Sequence, residues 1–165
     1  MSDRLLLEAI MRQDLSAFIA KAFATLDGGQ PFRPNWHIDV VADTLMRAYR
    51  REIKRLIITL PPRSLKSICA SVAFPAWALG HDPTLKIICA SYAQDLAGKH
   101  ARDSRTLMSA PFYRSCFPRT RLNPSKLAEE EFETTAGGYR LSTSVGGTLT
   151  GRGGGILILD DAIKL

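Results

Sequence analysis

The chain has 165 residues, of which 45% are hydrophobic and 23% charged, a composition typical of a globular protein with a buried core. The 22 lysines and arginines outnumber the 16 aspartates and glutamates, and the resulting net charge of +6 favours a polyanionic partner such as nucleic acid. The amino terminus has no uninterrupted apolar core, and no apolar run approaches the ~20 residues that span a bilayer, which argues against a signal peptide or membrane anchor and predicts a soluble, intracellular protein.

Two amphipathic helices are predicted in the first third of the chain. Apolar side chains recur with helical spacing over residues 4–26, and the Asp-Gly-Gly sequence at residues 27–29 ends that helix. The same spacing predicts a second helix over residues 36–53, with a basic cluster at its carboxyl end that suits the helix dipole. We therefore assign residues 1–55 to an N-terminal helical segment.

Strands and helices alternate through residues 56–165. Short apolar runs predict strands at residues 56–60, 85–90 and 156–159, and helical patterns occupy residues 66–79 and 93–108. Residues 132–135 and 139–143 flank an Ala-Gly-Gly turn and predict a hairpin. This alternation predicts an α/β fold, with a mostly parallel sheet. The isolated cysteines, without a CxxC pair or a His/Cys cluster, argue against a zinc site and indicate core thiols in a reducing compartment.

Residues 60–67, Leu-Pro-Pro-Arg-Ser-Leu-Lys-Ser, join the first predicted strand to the following helix. A strand that turns into a helix leaves backbone N–H groups free at the helix start, where the dipole adds positive potential. Lys66 could there reach the β- and γ-phosphates of a nucleotide, and the Ser67 hydroxyl could bind Mg²⁺. The standard phosphate-loop pattern has glycine where Leu65 stands, so a simple strand-to-helix turn is the alternative. The predicted nucleotide-binding residues are Pro62, Arg63, Ser64, Leu65, Lys66 and Ser67.

Residues 156–161, Ile-Leu-Ile-Leu-Asp-Asp, predict a buried strand that delivers two carboxylates at its carboxyl end. Ligands of open parallel sheets bind at that edge. Asp160 would hold Mg²⁺, directly or through water, and Asp161 would orient or deprotonate the attacking water near the γ-phosphate. Two acids that begin a surface turn are the alternative for this segment alone. Both segments in this order favour a nucleoside triphosphate site, with Lys66 and Asp160 at one rim of one sheet.

The residues also resemble a known family, the N-terminal ATPase domain of the large terminase subunit of tailed bacteriophages. The resemblance rests on the Phe-Arg-Pro-Asn-Trp-His sequence at residues 32–37, on residues 60–67, on Ser-Tyr-Ala-Gln-Asp-Leu-Ala at residues 91–97, and on residues 148–153 leading into residues 156–161. It covers most of the chain. It implies a P-loop NTPase-type core, a three-layer α/β/α sandwich that is incomplete at the carboxyl end of this chain.

The resemblance further implies an ATPase that uses ATP and Mg²⁺ to drive double-stranded DNA into a procapsid. Its partners would be like subunits in a ring, the portal protein and the small terminase subunit, in the cytoplasm of the bacterial host and with no membrane. Residues 1–55 would lie on the adenine side, residues 56–165 would form a partial ATPase core, and a C-terminal nuclease domain would be absent. The family has glutamate as catalytic base where this chain has Asp161.

Two arginines are candidate catalytic residues by the same resemblance. Arg63, within the phosphate loop, would sense the γ-phosphate, and Arg152, between glycines before the last strand, would act on the ATP of a neighbouring subunit. A guanidinium on the transferring phosphoryl group accelerates hydrolysis by ~10³ or more. A loop arginine that binds solvent or a backbone carbonyl is the alternative for each.

Two other interpretations remain open from the sequence. One is a different P-loop ATPase such as a helicase, although residues 160–163, Asp-Asp-Ala-Ile, do not match a DExH motif well. The other is a truncated, catalytically inactive prophage remnant, because the chain ends at Leu165, soon after the second motif. On the family pattern, we expect the coding sequence downstream of Leu165 to supply the missing half, and this fragment alone to have little activity.

Overall fold

The computed structural model of the chain describes residues 3–147, 149 and 151–161. These residues form an α/β fold, as predicted. The helical elements are α1 (Asp3–Gln13), α2 (Leu15–Leu26), α3 (Trp36–Tyr49), a π-helical stretch (Ile68–Ala73), α4 (Phe74–His81), α5 (Gln94–Ser109) and α6 (Pro111–Cys116). The strands are β1 (Lys86–Ser91), β2 (Leu122–Leu127), β3 (Glu131–Thr134), β4 (Tyr139–Ser144) and β5 (Ile156–Asp160).

The N-terminal helices differ from the prediction at their ends. The single helix expected over residues 4–26 is wrong, because Asp14 separates α1 from α2 and caps α2 with a side-chain oxygen that accepts a hydrogen bond from the Ser16 N–H at 2.8 Å. Aspartate favours such a cap over a helix interior. Helix α3 ends at Tyr49, earlier than predicted, since Arg51 takes a left-handed conformation with φ of 66°.

Residues 56–60, predicted as a buried strand, pair with no described strand. Leu56 and Ile58 pack against the core, whereas Ile57 between them is 91% exposed. Residues 56–58 and β5 both line a cavity of about 770 Å³, and no sheet pairing joins them. Partly buried and exposed side chains alternate along this segment as they do in a strand. The strand prediction is nevertheless wrong, because sheet hydrogen bonds require a neighbouring strand.

The sheet has the strand order β2-β3-β4-β1-β5. Strand β1 is parallel to both β4 and β5, whereas β3 is antiparallel to β2 and to β4. The predicted hairpin is confirmed as β3 and β4. The prediction of a mostly parallel sheet is wrong: the sheet is mixed, because β3 runs antiparallel to β2 and β4. The sequence of β2, Leu-Asn-Pro-Ser-Lys-Leu, is polar, and no apolar run predicted this edge strand.

One continuous hydrophobic core joins the helices to one face of the sheet. It includes Phe18 and Val41 from the N-terminal segment together with Trp77, Ile87 and Leu107 from the rest of the chain. The opposite face of the sheet leaves Leu157 61% and Leu159 62% exposed, so the described residues build one helical layer over β5 and not the predicted two. The cysteines at positions 69, 89 and 116 are free and buried, as predicted.

Candidate phosphate-binding site

The segment between Leu60 and the π-helical stretch turns through two left-handed residues. Arg63 has φ of 65° and Leu65 has φ of 62°, and the Ser64 hydroxyl donates a 2.6 Å hydrogen bond to the Pro61 carbonyl inside the turn. Leu65 stands where the phosphate-loop pattern has glycine, and it adopts the conformation that glycine takes most easily. Leu65 therefore holds a backbone conformation that favours glycine.

Lys66 and Ser67 open the helix that continues into the π-helical stretch. A cavity of about 320 Å³ lies beside them, lined by residues 60–68 and by Asp161. Its volume falls at the lower end of the ~300–1,000 Å³ usual for small-molecule sites. Pro62, Arg63 and Ser64 line it as well, so the structure brings the whole predicted nucleotide-binding set to one cavity.

Lys66 meets two carboxylates at the end of β5: Asp161, which lines this cavity, and Asp160, which ends the strand and lines the 770 Å³ cavity together with Lys66. The Lys66 ammonium donates a hydrogen bond to Asp161 and lies 3.5 Å from Asp160 Oδ1. Asp160 is buried and Asp161 is exposed, and the Asp161 carbonyl accepts a 3.1 Å hydrogen bond from the Tyr92 N–H after β1. Lys66 and Asp160 thus lie at one rim of one sheet, as the order of the motifs predicts. Their roles toward a nucleotide stay predictions.

The ion pair changes the titration of the lysine. The hydrogen bond to Asp161 raises the pKa of Lys66, against the lowering effect of burial and with further help from the charge of Asp160. Lys66 is therefore an ammonium throughout the neutral range, the form that a polyphosphate needs. A positively charged donor next to two carboxylates leaves the cluster with one net negative charge, which suits a cation.

Two buried residues, Ser71 on the π-helical stretch and His100 on α5, lie beside Asp160 Oδ2. The Ser71 hydroxyl donates a 2.8 Å hydrogen bond to Asp160 Oδ2, and the Nδ1 atom of His100 lies 3.9 Å from the same oxygen. Sequence reasoning missed both residues. Ser71 lies four residues after Ser67, on the same side of a helix, which is a weak signal in the sequence. No signal in the local sequence indicated His100.

Arg140 on β4 is fully buried near the same cluster. Its Nη2 donates a 2.9 Å hydrogen bond to the Ser71 carbonyl, and its Nη1 donates to the Ser142 hydroxyl. Pro75, four residues after Ser71, has no N–H with which to occupy that carbonyl. Arg140 therefore ties the sheet to the stretch that carries Ser71.

Arg152 does not line the 320 Å³ cavity. Its guanidinium forms bonds of 2.8 and 2.7 Å with both carboxylate oxygens of Glu131 and lies 5.7 Å from the centre of the Tyr139 ring. Tyr139 pairs with Lys86 at the start of β1, whereas Asp160 pairs with Ser91 at its end. The two positions are about 16 Å apart along the strand at ~3.3 Å per residue.

The aromatic residues of the 32–37 segment divide between two environments. Phe32 packs against Phe23 with ring centroids 5.7 Å apart, whereas Trp36 is 75% exposed. His37 contacts the phosphate-loop segment through a 3.2 Å hydrogen bond between its Nε2 and the Ser64 carbonyl. The 32–37 segment therefore contacts the loop that lines the cavity through His37.

The donors at the cavity fit magnesium better than a transition metal. Within the described parts of the chain, no group of three or more His, Cys, Asp or Glu side chains could ligate an ion. Magnesium needs no such cage, because one or two carboxylates, phosphate oxygens and water complete its shell. Asp160 Oδ1 and the Ser67 hydroxyl are hard oxygen donors of the kind it takes.

Two wider observations complete the description. Over residues 3–147, 149 and 151–161, every helix is too short or too polar to span a bilayer. Comparisons of this chain with protein-family models, with curated proteins and with solved structures found no match.

Proposed function

We propose that the chain binds a nucleoside triphosphate with Mg²⁺ at the 320 Å³ cavity and forms the hydrolysing site of an ATPase. The observation that supports this is the meeting of Lys66, Asp160 and Asp161 beside a helix start with left-handed turn residues. An ammonium, two carboxylates and free backbone N–H groups at one point are what a metal-bound polyphosphate requires.

The residues divide the chemistry among them. Lys66 would leave its hydrogen bond to Asp161 and bind the β- and γ-phosphates. Asp160 Oδ1 and Ser67 would hold Mg²⁺, which neutralises phosphate charge when bound. Asp161 would then be free to accept a hydrogen bond from water and to orient it, a role that its exposed position beside the cavity permits.

We further propose that this site belongs to a DNA-packaging motor of the terminase type, in the host cytoplasm. The order of the motifs supports this, as does the net charge of +6, which suits double-stranded DNA. The position of Arg152, bound to Glu131 beside Tyr139 and outside the lining of the 320 Å³ cavity, supports action on a neighbouring subunit in a ring. Arg63, at the cavity, would sense the γ-phosphate of its own subunit. Portal protein and small terminase subunit would be the other partners.

One observation favours a second candidate, a remnant that binds nucleotide without turning it over. Residues 56–58 line the 770 Å³ cavity together with β5, and residues 56–60, which precede the phosphate loop, make no sheet pairing. A phosphate loop whose preceding segment is unpaired is less rigidly placed against Asp161 than catalysis requires. Binding without turnover would identify this candidate.

Lys66→Ala tests the proposed site. We expect the variant to lose at least tenfold in affinity for a fluorescent ATP analogue in Mg²⁺, since a charge-assisted phosphate contact contributes about 1.5–3 kcal/mol. Fluorescence titration measures the affinity, and phosphate release measures turnover. Lys126→Ala is the matched control, because Lys126 forms a 2.7 Å ion pair with Glu133 between β2 and β3. Equal affinities for Lys66→Ala and the unmodified chain would show that Lys66 does not bind the nucleotide.

A further inference from the structure

The two oxygens of the Asp160 carboxylate have different surroundings. Oδ1 lies 3.5 Å from the Lys66 ammonium. Oδ2 accepts the 2.8 Å hydrogen bond from the buried Ser71 hydroxyl. A carboxylate that is held through one oxygen is oriented before a ligand reaches the other.

His100 presents an unsatisfied nitrogen to Asp160 Oδ2. The residue is 5% exposed, and its Nδ1 is one of two buried side-chain atoms in the described residues that have no hydrogen-bond partner. The other is Nε of Arg140, which belongs to the same cluster. A buried polar atom without a partner costs about 1–3 kcal/mol, so its retention calls for an explanation.

We propose that His100 is a positioning residue for Asp160, which together with Ser71 fixes Oδ2 and thereby presents Oδ1 to the cation of a bound metal–nucleotide. The inference rests on the proposed function of the site. The 3.9 Å between Nδ1 and Oδ2 exceeds a hydrogen bond by less than 1 Å. Closing this gap would bring Nδ1 within hydrogen-bonding distance of the oxygen that Ser71 already holds.

The surroundings of His100 suit this role. With a proton on Nδ1, the imidazole of His100 can donate to Asp160 Oδ2, the oxygen that Ser71 already holds. Metal-binding carboxylates are commonly held in this way, and losing such a partner weakens metal affinity by about 10–100-fold.

The Mg²⁺ dependence of nucleotide binding tests the inference. In His100→Ala, we expect the Mg²⁺ concentration that half-saturates binding of a fluorescent ATP analogue to rise about tenfold. Binding in EDTA, which does not use the Asp160 carboxylate as a ligand, should be equal in the variant and the unmodified chain. His81→Ala is the matched control, because His81 bonds to the Arg12 carbonyl at 2.8 Å on another part of the molecule.

A pair of conservative variants separates positioning from packing. The amide nitrogen of asparagine replaces Nδ1 of histidine, whereas that of glutamine replaces Nε2. His100→Asn should therefore restore much of the Mg²⁺ affinity, and His100→Gln should not. Equal losses in both variants would show a packing role and overturn the proposal.

Nitrogen-15 spectra of the histidine rings give a readout that needs no variant. Addition of Mg²⁺ and a non-hydrolysable ATP analogue should shift the Nδ1 signal of His100 and leave that of His81 unchanged. An unmoved His100 signal in a chain that binds the nucleotide would overturn the inference and leave the proposed function standing. No binding by the unmodified chain would overturn both.

Discussion

At the level of single residues, backbone strain concentrates at the candidate site. Among the described residues, four that are not glycine have positive φ, and three of them, Arg63, Leu65 and Asp161, line the phosphate cavity. The fourth, Arg51, follows α3 and lines the 770 Å³ cavity instead. A side chain in the left-handed region costs about 1–2 kcal/mol, and such residues cluster where function fixes the backbone.

Replacing Arg63 with glycine separates strain from function. Arg63→Gly should raise the melting temperature by about 2 °C, since glycine takes φ of 65° without a Cβ penalty and regains up to about 1 kcal/mol. In an active assembly it should lower kcat by about 10³-fold, as loss of an arginine on the γ-phosphate does. Differential scanning calorimetry and phosphate release measure the two effects.

Arg51→Gly is the matched control for that pair of effects. Arg51 is exposed and has φ of 66°, so the glycine variant should gain the same stability. Its hydrolysis should stay unchanged, because Arg51 does not line the phosphate cavity. If both variants hydrolyse ATP equally well, Arg63 is a loop arginine without a catalytic role.

At the level of elements, the two edges of the sheet differ in their protection. Edge strand β2 contains Pro124 and Lys126, and its pairing with β3 is irregular, all of which discourage a further strand. Edge strand β5, Ile-Leu-Ile-Leu-Asp, has no such device, and Leu157 and Leu159 are more than half exposed. An unprotected apolar edge of this kind promotes association between chains.

Leu157→Lys should therefore reduce self-association of the isolated chain. A lysine side chain remains in water at this exposed position, and its charge repels a second copy of the same edge. Light scattering over a concentration series should show a larger monomer fraction than for the unmodified chain. Leu127→Lys on β2 should leave that fraction unchanged, and a similar gain in both variants would attribute it to net charge alone.

For the whole molecule, buried thiols and phenols link stability to pH. Burial raises the pKa of Cys69 from 9.0 to about 12, and it also raises the pKa values of Cys89, Cys116 and Tyr113. The unfolded chain ionises these groups first. Their neutral forms therefore stabilise the folded state fully below about pH 9, and this contribution is lost as the pH rises toward 12.

We expect the free energy of unfolding to fall steeply between pH 9 and 12, with Cys69 alone contributing up to about 4 kcal/mol of the change. Urea unfolding in a reducing buffer at several pH values measures it. Cys69→Ala should make the decline shallower. Val72→Ala, which removes an equally buried side chain without a thiol, should lower stability by the same amount at every pH. A pH profile unaltered by Cys69→Ala would contradict the assignment.

The sequence by itself determined those features of the protein that depend on a local pattern of residues. Helical spacing located α3 and α5, apolar runs located β1 and β5, and the Gly-Gly turn located the hairpin of β3 and β4. The candidate site was found in the same way, because a lysine and serine after a turn and two acids after an apolar run are contiguous signals. The rule that parallel strands present their carboxyl ends together predicted that Lys66 and Asp160 meet; they do, although residues 56–60 before Lys66 do not pair in the sheet.

Only the tertiary structure decided what depends on residues far apart in the chain. Ser71 and Asp160 are 89 positions apart, and Arg140 reaches the Ser71 carbonyl across 69. No local pattern reports such contacts, since they arise from which helix packs on which strand. The same reason explains residues 56–60 and β2, because a segment pairs in a sheet only where a neighbouring strand lies beside it. Residues 56–60 alternate like a strand but have no partner strand, whereas β2 has a partner strand but no strand-like alternation.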